Sequence, residues 1–272
     1  MAFPSIPVYE NGADIETLPD WIIISTPDAA IARAAKECFR ADVWSETAVE
    51  SHDVVMSHCA GALHAEVIAD ALDDALPACD RRVICAAAHP FQTFPYVSER
   101  LVQGVAWGIE CHPQDDPAAM QRVAALVRCA GGTPVMLTSE ARERKEIYHS
   151  VAVVASNYLT AVSGVARQAA HAADIPPMDF LQPIMRTALE NSLMSIARDA
   201  APPLTGPIAR GDVETVRKHC EAMRSAGETG LLRSYVLMGL VTTDYAARER
   251  LIDAATQEAL RTYLEGELTR RS

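Results

Sequence analysis

Five short apolar runs, each ending in a polar break, constrain how this chain folds. They are WIIIST (21–26), Val54 to Ser57 within DVVMSHCAG, RVICAAA (82–88), GVAWGIE (104–110) and TPVMLT (133–138). Between them, AAIARAAKECF, ALHAEVIADALDDAL and DPAAMQRVAALVRCAGG place apolar residues at helical spacing. Short strands alternating with helices of about a dozen residues predict βαβ units and a mostly parallel sheet. The runs are apolar throughout rather than alternating, as expected of strands covered on both faces. Asp28 reads as the N-cap of the helix after the first run, and Gly131-Gly132 as the stop of the third helix.

After Ser139 the pattern changes. From Glu140 nearly everything has helical period: ARERKEIYHSVAVVASNYLTAVSGVARQAAHAA, then PMDFLQPIMRTALENSLMSIARDA, then three helices from Val213 onward. Only the Pro-rich segment APPLTGPIARGD (201–212) interrupts them. The expected organisation is an α/β domain over 1–139 and an all-α domain over 140–272.

The chain's 272 residues are 49% hydrophobic and 22% charged, enough for a sizeable core. The net charge of −12 is scattered, which argues against nucleic acid and anionic membranes, since both need a clustered basic surface. No apolar stretch reaches the roughly 20 residues of a bilayer span. The opening MAFPSIPVYENGADIE has no basic leader before an apolar core, so no signal peptide is expected. Seven cysteines (38, 59, 79, 85, 111, 129, 220) lie singly, without a Cys-x-x-Cys pair. That pattern predicts reduced, mostly buried thiols in a cytoplasmic protein, with Cys59 a packing residue rather than a nucleophile.

Ligands of an open parallel sheet bind at the carboxyl ends of its strands. Here the first strand delivers Ser25, Thr26 and Asp28, the second His58, Cys59 and Gly61, and the third His89, Gln92 and Thr93. His89 leads a loop, HPFQTF, in which Phe91 and Phe94 supply apolar wall. It is either a site residue or a turn imidazole bound to a backbone carbonyl. His52, His58 and His64 recur every six residues, but that period does not converge three side chains, so no metal is expected. In the long helix, His149 and Ser156 are seven apart, near one face, with Tyr148 and Asn157 beside them. This stripe faces either a crevice or a dimer partner. In LTGPIARGD, Asp212 reads as an N-cap, while Thr205 and Arg210 are binding candidates. A guanidinium can hold a carboxylate or phosphate bidentately.

HPFQTF, EIYHSVAVVASNYL and LTGPIARGD, in this order, resemble the Rossmann-like NAD(P)-dependent oxidoreductases that carry a C-terminal domain of unknown function 2520. That family is similar to pyrroline-5-carboxylate reductases and hydroxyisobutyrate-type dehydrogenases. DWIIISTPDAAIARAA and VVMSHCAGAL look like its third- and fourth-strand segments. The resemblance spans Asp20 to about Ala226. It implies a Rossmann-like α/β domain, a helical dimerising domain, and NADP- or NAD-dependent reduction of a carbonyl or imine in a small metabolite. Under it, His89, His149, Asn157 and Arg210 would be catalytic. His58, Gln92, Thr93, Tyr148, Ser156 and Thr205 would contact substrate, and Thr26, Pro27, Asp28 and Gly61 would face the cofactor. The departures are specific. There is no Gly-x-Gly-x-x-Gly, Ala60 stands where the family has a small hydroxyl residue, and Val153 stands where related dehydrogenases have a lysine. FPSIPVYENGADIETLPD does not read as a severed helix, and IPVYE could cap the sheet edge. Either the recorded start lies downstream of the true one or the unit has been lost, and the expectation is a truncated Rossmann-like unit, with cofactor-independent acid/base chemistry or a non-catalytic dimeric binding protein as the alternative uses.

Overall fold

The computed structural model describes residues 19–39, 53–73, 83–96, 103–113 and 116–270. Cys79, His52 and the IPVYE segment lie outside them. Five strands form one sheet in sequence order: β1 (Trp21–Ile24), β2 (Val54–His58), β3 (Val83–Pro90), β4 (Ala106–His112) and β5 (Thr133–Met136). β1, β2 and β3 are parallel, β4 runs antiparallel to β3, and β5 is parallel to β4. The mostly parallel α/β reading of the first half holds.

Helices α1 (Ile31–Phe39), α2 (Glu66–Leu72) and α3 (Pro117–Cys129) alternate with the strands. Ile31, Ala35 and Cys38 of α1 pack with Ile68 and Leu72 of α2 on the β1–β2 side. Val123, Ala124 and Val127 of α3 pack with Ile84, Trp107 and Ile109 on the β3–β4 side. All five residues of β2 are buried, which accounts for its unbroken apolar sequence. The cap of α3 is Asp116, which accepts from the backbone N–H groups of Ala118 and Ala119. The helix closes at Ala130 and Gly131, whose φ is +84°. Asp28 does not cap α1. It opens a short 3-10 turn, Asp28–Ala30, that is capped by Pro27 without a side-chain bond.

From Ser139 the chain is helical, as expected: α4 (Ser139–Glu143), α5 (Lys145–Ala152), a π-helical turn (Val153–Tyr158), α6 (Leu159–Ala172), α7 (Pro177–Ile196), α8 (Val213–Ser225), α9 (Thr229–Arg248) and α10 (Ala254–Thr269). Residues 1–157 and 158–272 form two compact units, so α4 and α5 cluster with the sheet although the all-helical stretch starts at Ser139. The second unit has its own core of Val216, Cys220, Val236, Ala246, Leu260 and Leu264. Asp212 caps α8 as read, accepting from the Thr215 backbone N–H at 3.0 Å and its hydroxyl at 2.6 Å. α7 is different: none of its 20 residues is buried. No helix among the described residues is long and apolar enough to cross a membrane.

Candidate functional site

β3 runs on through His89 and Pro90, so His89 is a strand residue rather than the start of a loop. Antiparallel pairing with β4 sets it opposite Gly108. On β4 the alternate residues Gly108, Glu110 and His112 share one face, and Lys145 and Tyr148 of α5 meet two of them. A side chain at Gly108 would overlap the Tyr148 hydroxyl, so the glycine leaves the space that the phenol fills. The hydroxyl hydrogen-bonds to His89 Nδ1 at 2.9 Å. Gly61, just beyond β2, is a second such gap. A Cβ there would overlap His149 Nδ1 and come within 2.8 Å of His89 Cε1. The His89 and His149 rings lie 5.6 Å apart, and Phe91 closes the group at 5.7 Å from His89 and 5.5 Å from Tyr148.

One level deeper, Lys145 and Glu110 are almost wholly buried, and Nζ donates to Oε1 at 2.5 Å. The same oxygen accepts from the Ala65 backbone N–H at 2.9 Å. Burial alone would make either charge very costly, so each requires the other.

These surroundings set the protonation states. Burial, helped by the neighbouring His149 and Lys145, pushes His89 down to about 4. Burial, then the Glu110 carboxylate, pushes Tyr148 up to about 12. At neutral pH the pair is a neutral imidazole and a protonated phenol. Cys59 is pushed up by burial to about 11 and stays a thiol, in keeping with a packing role.

The other sequence-derived candidates are placed as follows. His58 is fully buried. Its Nε2 lies 3.0 Å from the His64 carbonyl oxygen and its Nδ1 accepts from the Ala60 backbone N–H, so both ring nitrogens hold the loop after β2. The histidines at 58 and 64 thus meet through a backbone carbonyl, not at a shared ion. Gln92 and Thr93 are exposed, and the Gln92 side-chain oxygen accepts from the Thr93 backbone N–H. Thr26, Pro27 and Asp28 are exposed at the end of β1. The expected common face of His149 and Ser156 is not kept, because Ser156 and Asn157 lie in the π-helical turn, where the α-helical period fails. Thr205 and Arg210 are exposed residues of the second unit, and Arg210 ends a 3-10 turn before Gly211 at φ +69°. Gly108, Glu110 and Lys145 escaped the sequence reading. A carboxylate inside the apolar run GVAWGIE was the available signal, because such a residue needs a buried partner.

The glycine-rich phosphate cradle of dinucleotide folds is not formed by the described residues. No strand-to-helix turn among them carries two glycines, and the face of Gly61 is covered by the His149 and His89 rings.

No curated protein matches the chain. Among solved structures, a protein from Thermotoga maritima is similar at 21% identity and a TM-score of 0.57, covering 87% of this chain and 82% of its own. A protein described as a putative NADP oxidoreductase from Bacteroides fragilis is similar at 18% identity and a TM-score of 0.59, covering 85% and 77%. Both likenesses concern the fold. The family model described as domain of unknown function DUF2520 matches residues 105–242, half of the chain, from β4 with Gly108 and Glu110 through α5 with Lys145 and Tyr148 and into α9. With that match on top of the Rossmann-like fold, the chain belongs to the DUF2520 family.

Proposed function

We propose that this protein is an enzyme of the Rossmann-like oxidoreductase scaffold that transfers a proton to or from a small polar, anionic metabolite. The observation that carries this is the His89 Nδ1 to Tyr148 hydroxyl hydrogen bond, beside His149 and walled by Phe91. A phenol has one proton to donate. When His89 carries its proton on Nδ1 and donates to the phenol oxygen, the Tyr148 O–H is free to donate to a carbonyl oxygen or imine nitrogen of the substrate. The raised pKa of Tyr148 keeps that proton in place until negative charge develops on the substrate. His89 stays neutral, orients the phenol and adds no competing charge. His149, whose Nδ1 is buried without a hydrogen-bond partner, is the second proton-carrying group. Asn157, Gln92 and Ser156, of the same unit, are the proposed orienting groups.

The scaffold's usual chemistry is reduction of a carbonyl or imine with NADPH or NADH, and a nicotinamide would supply the hydride. Proton transfer is assigned to this chain's own His89 and Tyr148, whichever group supplies a hydride. Reduction remains the second reading, favoured by the fold shared with a protein described as an NADP oxidoreductase. Homodimerisation through the C-terminal helices is proposed on the exposed apolar side chains of α7, among them Met178, Phe180, Ile184 and Leu193.

The test is calorimetric titration with NADPH and NADH, then turnover of small 2-oxo acids and cyclic imines with and without cofactor, for wild type and Tyr148→Phe. A loss of about 10²- to 10⁴-fold in kcat for a folded Tyr148→Phe variant is expected. Full turnover by that variant removes Tyr148 from the mechanism. Saturable cofactor binding with cofactor-dependent turnover selects reduction over cofactor-free proton transfer.

A further inference from the structure

Around Glu110, β4 and the start of α2 gather a second cluster of ligand-type side chains. His64, Glu66 and Glu110 each bring one ligand-type atom into a group whose members all lie within 4.8 Å of one another. His64 Nδ1 is 3.5 Å from Glu110 Oε1, and His112 Nδ1 is 3.6 Å from Glu66 Oε1. These separations are long for hydrogen bonds. Two further observations point to a ligand. Glu110 is 2% exposed, yet its second oxygen, Oε2, is buried without a hydrogen-bond partner. His112 Nδ1 is likewise buried without one.

We infer that His64, Glu66 and Glu110 bind a divalent transition-metal ion of the zinc type. One imidazole and two carboxylates suit zinc or manganese, whereas magnesium and calcium prefer oxygen alone.

The surroundings hold the ligands as a second shell does. The carbonyl of His64 is tied to the buried His58 ring, and the Ala65 N–H is tied to Glu110 Oε1, so the residues flanking Ala65 are fixed toward the carboxylate. Lys145 bonds the same oxygen and leaves Oε2 for the metal. His64 and Glu66 also line an open cleft of about 370 Å³ with Ser139, Arg142 and Glu143, which gives the ion an entry path.

The test is isothermal titration of chelator-treated protein with zinc chloride and with manganese chloride, for wild type, His64→Ala and Glu66→Gln. Both substitutions lie at the exposed rim. Glu110→Gln is avoided because it strips Lys145 of its partner. One-to-one saturable binding, weakened at least about tenfold in both variants while their circular dichroism is unchanged, is the expected result. Cobalt in place of zinc should give visible bands of nitrogen and oxygen ligation without the near-ultraviolet thiolate band. No saturable uptake, uptake unchanged in the variants, or a thiolate band would each overturn the assignment.

Discussion

β2 and α7 mark the two extremes of this molecule. Every residue of β2 is buried, whereas no residue of α7 is, although α7 carries Met178, Phe180, Ile184, Leu193 and Met194. Within the sheet unit the central strands largely cover their side chains, while Ile23, Val135 and Met136 on the outer strands stay exposed. The helical unit has a compact core of its own but leaves one long helix with apolar side chains in water. Exposed apolar surface on this scale marks an association face. Each unit has a buried core, and the uncovered apolar side chains of α7 are the ground on which association is proposed.

Breaking the buried ion pair is the harshest test of that contrast. Lys145→Met leaves Glu110 charged and unpaired in the interior and should cost about 3–5 kcal/mol, read by urea denaturation. Adding Glu110→Leu should recover most of the loss, and a double variant as weak as the single one would show that the pair is not the cause. Next comes a matched truncation. Leu72→Ala, at a fully buried position beneath the sheet, should cost about 2–5 kcal/mol. Leu193→Ala, 56% exposed on α7, should stay within about 0.5 kcal/mol for a monomer. If α7 mediates dimerisation, Leu193→Asp should instead shift the mass seen by light scattering from dimer to monomer. A monomeric wild type removes the association reading.

Gly108→Ala should cost about 1–3 kcal/mol by overpacking, and it should also push the Tyr148 hydroxyl off His89, which NMR of the imidazole would report. Acid tests the same cluster without a substitution. His89 is neutral in the fold down to about 4, while in the unfolded chain it takes up a proton near 6.5. The unfolded state therefore binds more protons between those values, and stability should fall as pH drops from about 6.5 to about 4. His58 shifts in the same direction through burial and adds to the slope. A flat melting temperature across that window would mean that the two rings are not desolvated.

The sheet was legible chiefly through its central strands β2, β3 and β4, which are buried on both faces and so spell continuous apolar runs. Gly131 and Asp212 were legible through local capping chemistry, whereas the cap at Asp116 was not read. What escaped depended on register and helix type. His89 read as loop because a proline follows it, yet β3 continues to Pro90 against β4. The alignment of His149 with Ser156 assumed an unbroken α-helix, and the π-helical turn from Val153 cancels it. Lys145, within the charged string ERKE, gave no sign of burial, because its partner lies on a strand 35 residues earlier.

Gly108 and Tyr148 occupy what is in effect one shared volume, divided between a strand and a helix. Neither position can enlarge alone. A lineage that exchanged the glycine for a larger residue would have to shrink the tyrosine in the same step, and would thereby give up the phenol. Chemistry and packing are thus inherited together at this spot, and drift toward another reaction has to pass through a paired change.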